Sequence, residues 1–323
     1  MNNTNINFIN KFKKTQTKWN SFLKSNKNSK IRIRDAALQL NFSEAELLST
    51  KINSSVKYLI INDLYKFFKN ILNIEKLMFL TRNNYCVHEK IVLSKNIKIK
   101  FEQYITIFYK EKPLVIFDKN TCKFIFSEIK NHNNKNLKSF QFFNQSGCSI
   151  LKIYVKSDDN SIYEKIVEEY SSSYNYEVQK KIKNITYDNS VLLKSILSKN
   201  FINNNEPIKF IKKINYKNSI RNILEFSSKK KIQLMIYVIG PSIIQFHFGK
   251  INKLVEYMDW YNILDPEFNL HLKDKLINNN IYLYSQENDN EKIYFQFINK
   301  KTNYLLGISP LNKKKELLTN IKS

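Results

Sequence analysis

Over residues 232–275 the chain reads IQLMIYVIGPSIIQFHFGKINKLVEYMDWYNILDPEFNLHLKDK, in which short apolar runs (LMIYV, IIQFHF, FNLHL) alternate with polar, turn-forming stretches. The runs are rich in β-branched and aromatic residues. Gly240-Pro241, Gly249-Lys250 and Asp265-Pro266 interrupt them where a chain reversing between antiparallel strands must bend. The pattern predicts a meander of strands. Further strands are predicted at 77–82, 85–92, 97–109, 114–117, 123–129, 140–144 and 149–156, with SFQFFNQ and ILKIYVK alternating as strands with one covered face do. Helical periodicity is expected within residues 1–55 and at 62–73, 159–171, 191–198 and 220–227. Near the start, DAALQL and SEAELLS read as two short amphipathic helices, the second opened by the Ser43-x-x-Glu46 capping box.

The order of these elements repeats. Asn70-Ile71-Leu72, Leu77-Met78, His88-Glu89-Lys90-Ile91 and Phe140-Gln141-Phe142 are followed in parallel by Asn222-Ile223-Leu224, Leu234-Met235, His247-Phe248-Gly249-Lys250-Ile251 and Phe295-Gln296-Phe297. The spacing from Leu77 to Gln141 is 64 positions and that from Leu234 to Gln296 is 62. The expected fold is therefore α+β, a tandem duplication of a helix-plus-antiparallel-sheet unit, each half a large antiparallel sheet flanked by helices. The boundary is expected near 171–187, where the apolar period fades, giving repeats at 1–170 and 187–323.

Composition changes this picture little. The chain of 323 residues carries 53 Lys and Arg against 28 Asp and Glu, a net charge of +25, yet only four of its basic residues are Arg (Arg32, Arg34, Arg82, Arg221). Abundant Lys, Asn, Ile, Tyr and Phe with only four Gly and five Pro is the skew of AT-rich codons, and the lysines are spread along the chain rather than gathered in a stripe. A solvated, compositional charge accounts for this better than a polyanion site, for which clustered Arg would be expected. Three cysteines (Cys86, Cys122, Cys148), odd in number and without CxxC spacing, suggest free thiols in a reducing compartment and no metal site. The opening MNNTNINFINKFKK lacks the apolar core of a secretory leader, and no run approaches 18 apolar residues. A soluble, cytoplasmic protein without membrane insertion is expected.

Chemistry-bearing motifs are scarce: GxGxxG, Walker, GxSxG, HExxH and CxxC-pair patterns are all absent. His88 and His247 sit in strand-like runs at corresponding places in the two repeats and are expected to be structural. The two short helices at 35–49 have helix-turn-helix spacing, so a Lys-rich nucleic-acid-binding protein is one alternative. The second helix would nevertheless offer Glu44 and Glu46 to the phosphates.

Five stretches, RDAALQLNFSEAELLSTKI, TRNNYCVHEK, SFQFFNQSGCSILKIYV, MIYVIGPSIIQFHFGKINKL and MDWYNILDPEFNLHL, resemble the haemin-degrading factor family (HemS/ChuS type), in the family's order and across nearly the whole chain. The resemblance implies a tandem duplication, haem as ligand and cofactor, and a role in bacterial haem and iron acquisition in which some members open the macrocycle with an external reductant. It further implies a haem cleft in the C-terminal half with an axial His on the first helix after the linker. Aligning ITYDNSVLLKSILSKNF to that helix puts Ser190 at the ligand position, with Tyr187 three residues earlier as the nearest accepted iron ligand. The family's distal Arg falls at Ile116 or Phe117. Its basic sheet residues fall at about Tyr284 and Ser285, and its Tyr-Gly-x-Arg element reads Leu306-Gly307-Ile308-Ser309. The ligand set thus departs from the family, so no catalytic residue is assigned. Weak haem binding without efficient turnover is expected, with a non-catalytic haem or tetrapyrrole carrier, or a relic of the fold, as alternatives.

Overall fold

Three helices open the chain, α1 (Asn3–Ser25), α2 (Ile33–Leu40) and α3 (Glu44–Ser49), followed by β1 (Val56–Leu59) and α4 (Leu64–Ile71). Strands β2 (Lys76–Arg82), β3 (Cys86–Leu93), β4 (Ile97–Phe101), β5 (Tyr104–Tyr109), β6 (Lys112–Asp118), β7 (Phe124–His132), β8 (Lys135–Phe143) and β9 (Ser149–Val155) come next. They lead into α5 (Ser161–Tyr170), the short β10 (Ser171–Ser172) and α6 (Glu177–Lys181). The series then recurs as β11 (Lys209–Asn215), α7 (Ser219–Lys230), β12 (Leu234–Gly240), β13 (Ile243–Gly249), β14 (Leu254–Tyr257), β15 (Trp260–Asp265), β16 (Phe268–Leu272), β17 (Asn278–Ser285), β18 (Tyr294–Ile298) and β19 (Tyr304–Pro310). This computed structural model describes residues 3–26, 31–132, 135–172, 177–183, 209–215, 219–285, 294–298, 304–312 and 317. The order strand, helix, two strands, three strands, three strands occurs twice, so the α+β fold is a duplicated unit. Leu77 and Leu234 fall in the corresponding strands β2 and β12, and Gln141 and Gln296 in β8 and β18.

The chain divides into two compact units that do not follow the repeat: Met1–Leu77 with Lys119–Tyr187, and Met78–Asp118 with Asp188–Ser323. In the first unit the strands run β10-β1-β7-β8-β9, and β9 continues beside the start of β2, where Lys156 N–H donates to Lys76 O (2.9 Å). Helix α4 covers this sheet. Its apolar positions Phe67, Phe68 and Ile71 lie on one face, and Asp63 caps it by accepting from Lys66 N–H (3.0 Å). Phe68 stacks on Phe142 with centroids 5.3 Å apart, and Phe67 meets Phe140 edge-on at 5.6 Å. Burial of each such ring contributes about 1.5–3 kcal/mol.

The capping box predicted at α3 is present: Glu46 N–H donates to Ser43 Oγ (3.2 Å) and Ser43 N–H donates to Glu46 Oε2 (2.9 Å). Gly147 closes over this end at φ 71°, and its carbonyl accepts from Ala45 N–H (3.1 Å). A Cβ at Gly147 would collide with Ser43, which explains a glycine there. Ser43→Ala removes the Oγ that accepts from Glu46 N–H, while the backbone N–H at 43 can still donate to Glu46, and is expected to lower stability by about 1 kcal/mol in urea unfolding, with an unchanged m-value.

The second unit contains two sheet portions, β2-β3-β16-β15-β14 and β11-β17-β18-β19-β12-β13-β6-β5-β4. Each repeat lends three strands to the other. Strand β6 pairs with β13 (Phe117 opposite Ile243, Val115 opposite Gln245), and β16 pairs with β3 (Leu270 opposite His88, Leu272 opposite Cys86). The expected single meander over 232–275 is therefore two pieces. The turns fall at the predicted residues, but after Gly249 the chain leaves β13 and builds β14–β16 against β3. All seven residues of β12 are buried, as its uninterrupted apolar run requires of a strand covered on both faces. On one face Leu234, Ile236 and Val238 join Ile223 and Leu224 of α7 in a core cluster. Between the two sheet portions, Asn83 Nδ2 donates to Ile239 O and Leu305 O (2.9 Å each), and Gln245 Nε2 donates to Phe79 O (2.9 Å).

Candidate functional site

The strand exchange places residues of the first repeat in a sheet of the second. β6 lies beside β13, so Ile116 and Phe117 stand in the same sheet as β12, β18 and β19. Both are buried, at 1% and 0% exposure. Leu306 and Ile308 are likewise buried in the core cluster, and Ser309 is buried in register with Met235. Tyr284 and Ser285 are in β17, opposite Phe210 and Lys209 of β11. Tyr187 and Ser190, the expected ligand positions, lie outside the described residues.

At the centre of this sheet Tyr237 of β12 lies across Gly307 of β19 to reach β18. Its hydroxyl donates to Gln296 Oε1 (2.6 Å), and Gln296 Nε2 donates to Leu306 O (2.7 Å). Tyr237 and Gln296 are both buried, and a Cβ at Gly307 would land on the Tyr237 ring at Cζ, Oη and Cε1. In the first repeat the strand position opposite Gln141 holds Lys152, which pairs with Glu44 at 3.6 Å, whereas the position opposite Gln296 holds Gly307. The two copies have thus specialised one register position differently, for an ion pair in one and for the passage of an aromatic ring in the other. The repeat comparison could have pointed to this pair, because it marks Gln141 and Gln296 as equivalent.

His88 on β3 and His247 on β13 occupy corresponding strands and come together on Phe268. The His247 ring stacks on it at 3.7 Å and 6°, and the His88 ring tilts against it at 5.0 Å. All four ring nitrogens are buried and make no hydrogen bond of normal geometry. Burial first, and then the charge of Lys90, hold His247 down to about 3; burial, His247 and Lys90 hold His88 well below the usual histidine range. Both rings are therefore neutral at pH 7. His271 is half-buried, with Nδ1 2.7 Å from Asn262 Oδ1, and Asn262 Nδ2 donates to Val255 O and Trp260 O. Since that amide nitrogen is the donor, Asn262 Oδ1 accepts and His271 carries its proton on Nδ1. Arg221 of α7 is held by both carboxylate oxygens of Glu256 (2.9 Å each) and by Asp274, above the Tyr261 ring at 4.6 Å. It clamps α7 rather than facing a cleft.

These residues do not match the haem-binding set implied by the resemblance. Ile116 and Phe117, where the resemblance implies a distal Arg, are apolar and buried, and the two histidines that meet at Phe268 have their nitrogens enclosed. We derive no chemical step through haem from them. Among the described residues no group of three or more His, Cys, Asp and Glu side chains is placed to hold a metal ion, and no helix is long and apolar enough to cross a membrane. All six residues of α3 are buried, which fits a packed helical layer better than the alternative of a helix that enters a groove.

Comparison with known proteins bears on the same segments. The model of the haemin-degrading HemS.ChuX domain matches residues 41–170 and 204–314. The hemin transport protein HemS of Yersinia enterocolitica is 22% identical over 268 residues, covering 76% of this chain and 77% of its own length; HmuS of Yersinia pestis matches equally. Among solved structures, holo-PhuS, a heme-binding protein from Pseudomonas aeruginosa, superposes with a TM-score of 0.79 at 18% identity, covering 96% of this chain and 98% of that one. The heme-degrading enzyme ChuS of Escherichia coli O157:H7 gives 0.78 at 17% identity, covering 95% and 98%.

Proposed function

The chain belongs to the haemin-degrading HemS.ChuX domain family, and on that premise we propose that it is a cytoplasmic haem-handling protein of bacterial iron acquisition that binds haem weakly and does not turn it over efficiently. Family membership supports the ligand. The burial of Ile116 and Phe117, where the family's distal Arg is expected, carries the loss of turnover, because an apolar side chain can neither donate to nor polarise an iron-bound group. The three cysteines are free thiols, in keeping with a reducing compartment. The family repeats are assigned to 1–170 and 187–323, and the haem-facing positions to Ser190 and Tyr187. A serine hydroxyl is a poor iron ligand, and a Tyr phenol must lose its proton near pH 10 before it ligates well. The same apolar substitutions favour a haem or tetrapyrrole carrier as the second reading.

An absorbance titration of the purified protein with haemin tests both. Wild type is expected to give a weak Soret shift that Tyr187→Phe reduces further, and Ser190→His is expected to bind at least about tenfold tighter with a His-ligated spectrum. A carrier keeps its Soret band when a reductant is added, whereas a haem-degrading enzyme loses it. Tight wild-type binding that survives Tyr187→Phe, or a Ser190→His variant identical to wild type, would show that haem goes elsewhere. His88→Gln and His247→Gln are expected to leave the haem spectrum unchanged.

A further inference from the structure

Basic residues outnumber acidic ones 53 to 28 over the whole chain, whereas α1 carries five Lys and no Asp or Glu in its 23 residues. The helix lies outside residues 41–170 and 204–314, so the match to the family model does not extend to it. Phe12, Thr15 and Trp19, three and four apart, are buried and turn one face of α1 inward. The opposite face is open. On it stand Lys13, Lys14 and Lys24, all exposed, with exposed Asn10 and Thr17 between them. Among the described residues Lys11 alone of the five lysines is in an ion pair, with Glu46 at 2.9 Å. Ile6, 43% exposed, lies five turns before Lys24 on the same line, roughly 27 Å away, and Lys13 falls within about 20° of that line. The carboxylates of α2 and α3 are Asp35, Glu44 and Glu46. Arg34 and Lys152 hold Glu44 (3.5 and 3.6 Å), and Lys11 and the capping box hold Glu46, which leaves Asp35 as the one exposed acid of these two helices. The outer face of α1 is therefore of one electrical sign.

We propose that α1 docks the protein on an anionic lipid surface, with Lys13, Lys14 and Lys24 among the headgroup phosphates and Ile6 at the first acyl carbons. A helix face that carries several lysines and no acid is attracted to negatively charged headgroups, over a distance of about a Debye length. Ile6 decides between lipid and nucleic acid. An apolar side chain on a cationic line gains from leaving water at the headgroup boundary, but gains nothing beside the hydrated phosphates of a duplex. The basic residues point the same way, because α1 contains no Arg and so presents no planar fork to a base edge. Since Phe12 and Trp19 stay packed against the protein, the helix lies on the surface rather than in it, and the attachment is shallow and reversible. The site does not depend on the haem reading, for α1 includes none of the positions assigned to haem.

Sedimentation of the full chain with lipid vesicles tests the proposal. Vesicles of equal parts phosphatidylglycerol and phosphatidylcholine are expected to bind the protein, and phosphatidylcholine alone at least about tenfold more weakly, with a steep loss of binding between about 0.1 and 1 M salt. The triple variant Lys13→Glu/Lys14→Glu/Lys24→Glu, with its fold checked by circular dichroism, should lose at least about tenfold in affinity for the anionic vesicles. Lys95→Glu/Lys98→Glu/Lys100→Glu makes the same change of charge on exposed lysines in and before β4, and should lose less than about twofold. Ile6→Asn should weaken vesicle binding severalfold and leave binding to a DNA duplex unchanged. Equal losses in the two triple variants would reveal general adsorption of a strongly basic chain and overturn the proposal. So would an Ile6→Asn variant that binds vesicles as wild type does. A loss of DNA binding confined to the α1 triple variant would assign the face to nucleic acid instead.

Discussion

Gly307→Val is expected to destabilise the second unit by about 3–5 kcal/mol, although valine is the better strand former. The new side chain would occupy the volume of the Tyr237 ring, which lies across β19 at this point and is itself enclosed on all sides. Displacing that ring overpacks the sheet, a change that costs about 1–3 kcal/mol. It also strands Gln296 Oε1, which accepts the Tyr237 hydroxyl at 2.6 Å and is fully buried, for about 1–3 kcal/mol more. Tyr237→Phe isolates the second contribution. In a Tyr237→Ala background the valine should cost far less than in wild type, so the double-mutant cycle is expected to show a large coupling energy in urea or thermal unfolding. Additivity of the two changes would mean that the ring does not occupy the space over Gly307.

Acid should unfold the protein through the two histidines that meet at Phe268. In the unfolded chain each takes up a proton near pH 6.5, whereas in the fold His247 resists protonation down to about 3 and His88 is shifted in the same direction. Between those limits the unfolded state binds more protons than the native one, so stability is fully present above pH 6.5 and is lost as the pH falls. Each histidine contributes a slope of up to about 1.4 kcal/mol per pH unit across its window. Lys90, beside both rings and 3.6 Å from Glu267, adds to the cost of any positive charge there. His247→Gln should roughly halve the steepness of the stability profile between pH 6 and 4. An unchanged profile would place the acid sensitivity elsewhere.

Local signals in the chain predicted its local structure well. Ser43 and Glu46 announce the start of α3 because the capping box uses only residues three apart, and the turns at Gly240-Pro241 and Asp265-Pro266 fall where those residues make extended backbone difficult. The stretch 97–109 was harder to divide. It forms two strands that reverse at Glu102-Gln103, a turn without glycine or proline, so apolar alternation continues through it. The partner exchange left no local trace: pairing Val115 with Gln245 joins residues 130 apart, and β6 would show the same alternation beside any strand. For the proposed site, residue identity alone gives the apolar Ile116 and Phe117 and the Leu306-Gly307-Ile308-Ser309 run that the resemblance sets against the family's polar residues. The Tyr237–Gln296 bond across Gly307 and the enclosure of His88 and His247 were not legible, since each depends on side chains brought together by long-range pairing.

That pairing also has a consequence for synthesis on the ribosome. Once residues 97–118 have emerged, the outer edge of β6 has no strand to receive it until β13 follows. At the usual 5–20 residues per second the intervening 130 residues take roughly 6–26 s. Throughout that interval a row of unsatisfied amides beside Leu114, Val115, Ile116 and Phe117 is available to any other nascent chain. A transcript truncated before residue 243 would leave this edge permanently open. Such fragments are expected to be found in inclusion bodies, while the full-length product stays in solution.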